Sequence, residues 1–411
     1  MKRIFLLSVI FLCFLACRKS DSVVEPVQNN IRLGAVLDLS GDYSQEGLTG
    51  KAAIELAIES LNARYASVGS PVRFSCVYAD THMDTNLTKS GVKEMYDAGI
   101  RLLVGGPGNS TELKAVKPFL DANRMLAITC FSSSPSLSVA DDYIYRLITD
   151  DNVQAGALAA MVLHDSVRAV IPLFRDDTYG RGLVTAMVEQ SRGKNFIVNP
   201  GISFKPGSTN YQELTARTAG LVAEAAAAYG ASKVAVLLVT YQEASEFLSA
   251  AQGNEILGKA RWYGCDANVQ KESVLTNTGA AEFASAVRFI APIMGIGTAG
   301  MIPAPAAELS DLIRAKTGYI PDAYALSAYD AVQICGLAYD IAGSADAGKI
   351  RTVVPSVCSA YNYLGISRKL NAAGDLATAN YIFWRVRAEG LGFIWDSYAT
   401  YMAEGNYIVI K

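Results

Sequence analysis

Residues 31–61, IRLGAVLDLSGDYSQEGLTGKAAIELAIESL, decide the fold class. Ile31 to Leu39 is a largely apolar run of strand length. Ser40 to Gly47 is a polar, glycine-containing turn. Beyond it Ala52, Ala53, Leu56, Ala57 and Leu61 recur at helical spacing and mark one apolar face. A strand that is apolar nearly throughout is buried on both faces, and that is the signature of a parallel sheet covered by helices.

The same unit repeats outward from this stretch. VRFSCVY (72–78), RLLV (101–104) and MLAIT (125–129) read as strands, with helices over 85–98 and 111–122 between them, and YIYRLI (143–148) follows. The rhythm restarts with a helix over 151–164. Strand AVIPLF (169–174), a helix over 180–191, strand FIVNPGISF (196–204) and a helix over 211–229 follow. Strand KVAVLLV (233–239), a helix over 243–252 and strand RWYG (261–264) complete it. Two such series predict an α/β protein of two doubly wound parallel-sheet lobes. After Ala280 come strand AVRFIAPI (286–293), helices over 306–316, 322–341 and 349–361, and strands that include YIFWRV and NYIVIK. The expected division is residues 31–150 with 282–370 in the first lobe and 151–281 with 371–411 in the second. The chain then crosses between lobes more than once, which makes a hinge.

The chain has 411 residues, enough for two cores. Its 36 basic and 39 acidic residues nearly balance, so there is no basic footprint for nucleic acid. Lys2 and Arg3 precede an apolar run, Ile4 to Leu15, which reads as the core of a signal peptide. The run ends in Leu15-Ala16-Cys17, which looks like a bacterial lipobox, with lipidation expected at Cys17. Residues 1–17 are then the leader, 18–30 a polar tether, and the body a lipoprotein held at an extracytoplasmic or periplasmic membrane face. Cys76, Cys130, Cys265, Cys335 and Cys358 follow. Cys335 and Cys358 lie on consecutive helices, and either a bridge or two separate buried thiols fits them.

Ligands of open parallel sheets bind beyond the carboxyl ends of the strands. In the first lobe those ends carry Gly105 to Thr111 and Cys130 to Pro135; in the second, Arg175 to Gly180, Thr240 to Glu243 and Cys265 to Asn268. Hydroxyls and free amides at helix starts suit an anion. Ser110 and Thr111 can cap their helix and face a ligand carboxylate, or cap it only. Asp266 and the tyrosines of the second lobe suit an ammonium group. Carboxylate on one lobe and ammonium on the other would let an amino acid bridge the cleft.

At this point the residues resemble a known family. LGAVLDLSGDYSQEG (33–47), the Gly106–Ser110 stretch, ITCFSSSPSL (128–137), FRDDTYGRG (174–182), PDAYALSAYDA (321–331) and LNAAGD (370–375) occur in order. Together they resemble the type I periplasmic binding proteins of the leucine/isoleucine/valine-binding class, the substrate-binding proteins of branched-chain amino-acid ABC transporters. The resemblance implies that Ser110 and Ser133 bind a ligand α-carboxylate and that the Phe131 carbonyl meets its ammonium. It implies that Tyr179 and Tyr241 line the cleft and that Asp266 pairs with the ammonium. Glu46 stands where the family often has an aromatic selector. With Tyr43 and Gln45 it makes that region polar. The implied action is hinge closure on a small ligand by a monomer, which an ABC permease then reads, with no bond made or broken.

Other chemistries lack support. Gly295 to Gly300 spells GxGxxG, but no helix opens directly after it. No GxSxG elbow occurs. His82 between Asp80 and Asp84 reads as a polar loop, His164 as a helix-end residue and Asp176-Asp177 as turn chemistry. No catalytic residue, cofactor or metal site is expected. The alternative function is a sensing lipoprotein of the same fold that signals to a partner.

Overall fold

The computed structural model describes residues 29–296 and 302–411. The leader, Cys17 and most of the Gly295–Gly300 stretch lie outside the described residues. The first series runs β1 (Asn29–Leu37), α1 (Ser44–Ser67), β2 (Val72–Asp80), α2 (Thr85–Asp97), β3 (Leu102–Gly105), α3 (Ser110–Ala122), β4 (Leu126–Thr129) and β5 (Ile144–Arg146). The second runs α4 (Asp151–His164), β6 (Ala169–Arg175), α5 (Thr178–Ser191), β7 (Ile197–Val198), β8 (Ile202–Phe204), α6 (Tyr211–Tyr229), β9 (Val234–Val239), α7 (Ala244–Ala251), α8 (Glu255–Lys259) and β10 (Arg261–Tyr263). There follow α9 (Glu272–Thr276), α10 (Thr278–Ala286), β11 (Ile290–Met294), α11 (Ala304–Thr317), α12 (Ala323–Ala342), α13 (Ala347–Ala360), β12 (Tyr381–Glu389), β13 (Gly392–Met402) and β14 (Tyr407–Ile410).

The first sheet is parallel, in the order β2-β1-β3-β4-β5. The second repeats that order. β6 stands at its switch point, β7 and β8 beside it on one side, and β9, β10 and β11 in parallel on the other. It then departs from a purely parallel sheet, because β12, β13 and β14 add to β11 as an antiparallel meander. The second sheet is therefore mixed.

Three readings change. The strand expected over 196–204 is broken in two. Pro200 has no amide hydrogen to give a ladder, and Gly201 turns through φ +71° with its α-carbon pressed on β6. The strand expected from Ala286 begins only at Ile290, since 278–286 forms α10, capped by Asn277. β11 pairs with β10 and β12, so the strand lies in the second sheet, not with the first-lobe residues expected from 282 onward. The next three helices do pack on the first series: Gln333 of α12 donates to Ala57 O of α1 at 3.1 Å, and Tyr65 of α1 reaches Asp340 of α12. All five described cysteines are free, and four are buried, so Cys335 and Cys358 act as small apolar side chains.

Glycine sets the approach of helix to strand at the corresponding place in each lobe. A Cβ on Gly47 would lie 1.7 Å from Asp38 O, and one on Gly180 would lie 2.1 Å from Arg175 O. Only glycine lets α1 and α5 start so close over the ends of β1 and β6, the strands that flank the switch points.

One buried group behind the first of these switch points gives the fold a pH dependence. Glu112 on α3 is fully buried and accepts from Thr88 Oγ1 at 2.9 Å. Burial pushes its carboxyl up to about 7, the Thr81 and Thr88 hydroxyls oppose this, and the charge of Asp38 adds to it. From an unfolded value of 4.5 up to about 7, the folded chain keeps a proton that the unfolded chain has released. Stability from this group therefore falls as pH rises across that window and levels above it. Glu112→Gln should remove about 3 kcal/mol of that fall. Urea midpoints at about pH 5 and about pH 8 measure it, and an unchanged gap between wild type and variant refutes the assignment.

Candidate functional site

The loops that leave β1, β3, β4, β6, β9 and β10 meet between the two sheets. Asp38 shapes the first by accepting from Gly41 N–H at 2.7 Å and Tyr43 N–H at 2.6 Å. That turn sends Tyr43 and Glu46 toward the second lobe. Asp177 shapes another: it caps α5 through Gly180 N–H at 2.9 Å and accepts from Arg175 Nε at 2.9 Å. Asp176-Asp177 is thus turn chemistry, and no cluster of metal-binding side chains occurs among the described residues. His82 is exposed on its loop and His164 is exposed in the last turn of α4.

Asp266 is the centre of the cleft. Its carboxylate accepts close hydrogen bonds from Tyr179 OH of the second lobe and Tyr324 OH of α12, and a third from Ala267 N–H at 2.8 Å. Asp266 N–H donates to Gln154 Oε1 at 2.9 Å, and Gln154 Nε2 donates to Asp151 Oδ1 at 2.9 Å. Asp151 is fully buried, and its Oδ2 meets no hydrogen-bond partner among the described residues. Burial holds the Asp151 carboxyl well above the ordinary carboxylate range, and the charge of Asp266 adds to the push. Burial raises Asp266 as well, against the hydroxyls that stabilise its charge. Two buried carboxyls, one with an unpartnered oxygen, suit a positively charged donor.

The tyrosines form the wall. Tyr179 stacks on Tyr241 at 5.4 Å between centroids, and Tyr241 meets Tyr43 of the first lobe at 4.9 Å. The Arg175 guanidinium lies 4.2 Å over the Tyr241 ring and pairs with Glu243 and Asp177. At the far end Lys271 of the second lobe makes a buried ion pair with Glu46 of the first, its ammonium 4.7 Å from the centre of the Tyr43 ring. Trp395 Nε1 fixes the Lys271 backbone by donating to its carbonyl at 3.1 Å. Asp322, which caps α12 through Tyr324 N–H and Ala325 N–H, lies beside this pair. Burial and the charge of Glu46 push its carboxyl up to about 7.

The expected residues gather here with two changes of role. Ser110 and Thr111 do not cap α3. Asn109 does, accepting from Thr111 N–H and Glu112 N–H at 3.0 Å each. Ser110 Oγ accepts from Ser134 N–H at 3.1 Å, and Thr111 Oγ1 accepts from Thr178 N–H of the second lobe at 3.3 Å. Ser133 O accepts from Asp151 N–H at 2.8 Å. The Phe131 ring packs against α1 at Gly50. Asp151, Gln154, Lys271, Asp322 and Tyr324 join the candidate site without being named by the sequence reading. Tyr324 had a signal, its place in the PDAYALSAYDA stretch, and Asp151 had one in the acid pair opening α4.

The sequence profile of the receptor family ligand binding region matches residues 49–380. The chain belongs to this receptor ligand-binding family. A protein of Methanocaldococcus jannaschii with no assigned function is 26% identical over 391 residues, 90% of each chain. Among solved structures, a leucine-binding protein from Thermotoga maritima superposes with a TM-score of 0.73 at 17% identity, over 90% of this chain and 98% of that one. A branched-chain amino acid transporter substrate-binding protein from Streptococcus pneumoniae, in complex with isoleucine, superposes with a TM-score of 0.71 at 20% identity, over 90% and 99%. The receptor ligand-binding family member described here thus shares their two-lobed α/β fold.

Proposed function

We propose that the chain is the solute-binding protein of an ABC transporter, closing its two lobes on an amino acid or similar small amine and delivering it to a permease. The observation that carries this is the buried Asp151–Asp266 carboxyl pair with its unpartnered Asp151 Oδ2, which Tyr324 of the other lobe meets through Asp266. An uncompensated carboxyl oxygen inside a protein is costly, and an ammonium group removes that cost on binding. Closure is favoured because the ligand then meets groups from both lobes at once and water is expelled. Ser110, Thr111, Phe131 and Ser133 are proposed to receive the ligand's carboxyl end, Tyr179 and Tyr241 to line it, and Glu46 to meet its side chain. The protein acts as a monomer, held at the extracytoplasmic face through lipid on Cys17. Among the described residues no helix is long and apolar enough to cross a membrane.

A thermal-shift screen of the purified protein against amino acids, small amides, sugars and dipeptides tests the proposal. A ligand present at about 100 times its Kd should stabilise by roughly 2.7 kcal/mol. A rise with an amine-bearing ligand supports the reading. A rise confined to sugars refutes the proposed roles of the site residues.

A further inference from the structure

Resting on that reading of the cleft, we infer that its ligand carries two separated ammonium groups, as a basic amino acid or a short aliphatic diamine does. Two buried carboxyl oxygens in the cleft have no hydrogen-bond partner among the described residues, Asp151 Oδ2 at one end and Glu46 Oε2 at the other. Both side chains are more than nine-tenths buried. Two ring-to-ring steps, Tyr179 to Tyr241 and Tyr241 to Tyr43, lie along the path between these ends, so a single ammonium does not serve both.

The charges agree with this. Arg175 is shared between Glu243 and Asp177. Lys271 is paired with Glu46 while Asp322 stands close by. Asp151 and Asp266 have no cation hydrogen-bonded to them among the described residues. Each group holds more acids than cations, and burial without a matching cation favours the protonated form of Asp151, Asp266 and Asp322, which a bound ammonium would reverse. A zwitterionic aliphatic amino acid adds no net charge and offers nothing to Glu46. A second ammonium reaching the Glu46–Asp322 end answers the unpartnered Glu46 Oε2 and the extra acid there.

Titration calorimetry of the purified protein with L-lysine, L-ornithine, diaminobutane, L-leucine and L-glutamate tests the inference. At least one of the first three should bind about tenfold or more tightly than L-leucine, and L-glutamate should bind weakest. Lysine or ornithine ahead of diaminobutane means that the ligand's carboxylate is also read; the reverse order means that it is not. Glu46→Gln should weaken the dication about tenfold more than it weakens L-leucine; Asp322→Asn provides the same comparison if the first variant does not fold. L-leucine or L-glutamate binding as tightly as every dication overturns the inference and leaves the solute-binding reading standing. Dication binding unmoved in both variants overturns the assignment of the second ammonium to this end. Failure of the whole panel and of the wider screen overturns both readings.

Discussion

Asp266→Ala is expected to cost the protein roughly 30-fold to several thousand-fold in affinity for the amine that wild type binds, the range for truncating one partner of a buried, hydrogen-bonded charge pair. Two effects add. The ammonium loses one of its two proposed carboxyl partners, and Asp151 is left to answer it alone. Tyr179 and Tyr324, whose hydroxyls converge on Asp266 from opposite lobes, lose the acceptor that orients them. The second effect distinguishes a cleft residue from a merely structural one, because it weakens the closed arrangement itself. Asp266→Asn is the informative companion. It keeps an oxygen for one tyrosine and removes the charge, so it should fold like wild type and still bind poorly. Calorimetry on both variants, with circular dichroism as the check on folding, decides the matter. Wild-type affinity in the Asn variant would mean that no ammonium sits at Asp266, and the site would have to be read as a tyrosine-walled pocket for a neutral ligand.

Much of this arrangement is legible in the sequence, and the parts that are not have separate causes. The apolar runs fix the parallel strands, and α4 and α6 run over the same residues that their periodicity marks. Phe196 to Phe204 misleads because its β-prone residues flank a proline and a glycine whose backbone cannot stay in the ladder. The candidate site is readable where it lies on loops after strands, as Asp266, Tyr179 and Tyr241 do. Lys271 escapes such reading because nothing local marks it. It follows no strand directly, and its partner Glu46 lies 225 residues away. Asp151 escapes for a different reason. In Asp150-Asp151 the first acid caps α4 and is only half-buried, while the second turns fully inward, and a shift of one residue in the helix start would exchange them. Tertiary packing, more than composition, decides which acid of such a pair is buried.

Arg146→Ala is expected to lose about 3–5 kcal/mol of stability, the penalty for leaving one member of a buried ion pair alone. Arg146 ends β5, just before the chain first crosses to the second lobe, and Asp375 lies on its last crossing, before β12. Both are essentially inaccessible, and the pair ties two crossings together. The same guanidinium donates to Ser132 O and Ser134 O at 2.9 Å each, and to Ser138 Oγ at 2.6 Å. Ser138 Oγ in turn donates to Asp375 Oδ2 at 2.7 Å. The hinge and the loop that presents Ser133 to the cleft therefore share one cation. Removing it strands a buried carboxylate and two carbonyls. The double variant Arg146→Met with Asp375→Leu removes the stranded charge and should recover a substantial part of the loss, while the loop carbonyls stay unanswered and ligand affinity stays low. Urea unfolding gives the stability and calorimetry the affinity. A single variant within about 1 kcal/mol of wild type would refute the pair's structural role. Equal losses in the single and double variants would place the whole effect in the loop carbonyls, and the hinge would then owe its strength to the Arg368–Asp330 pair alongside it, which is equally buried.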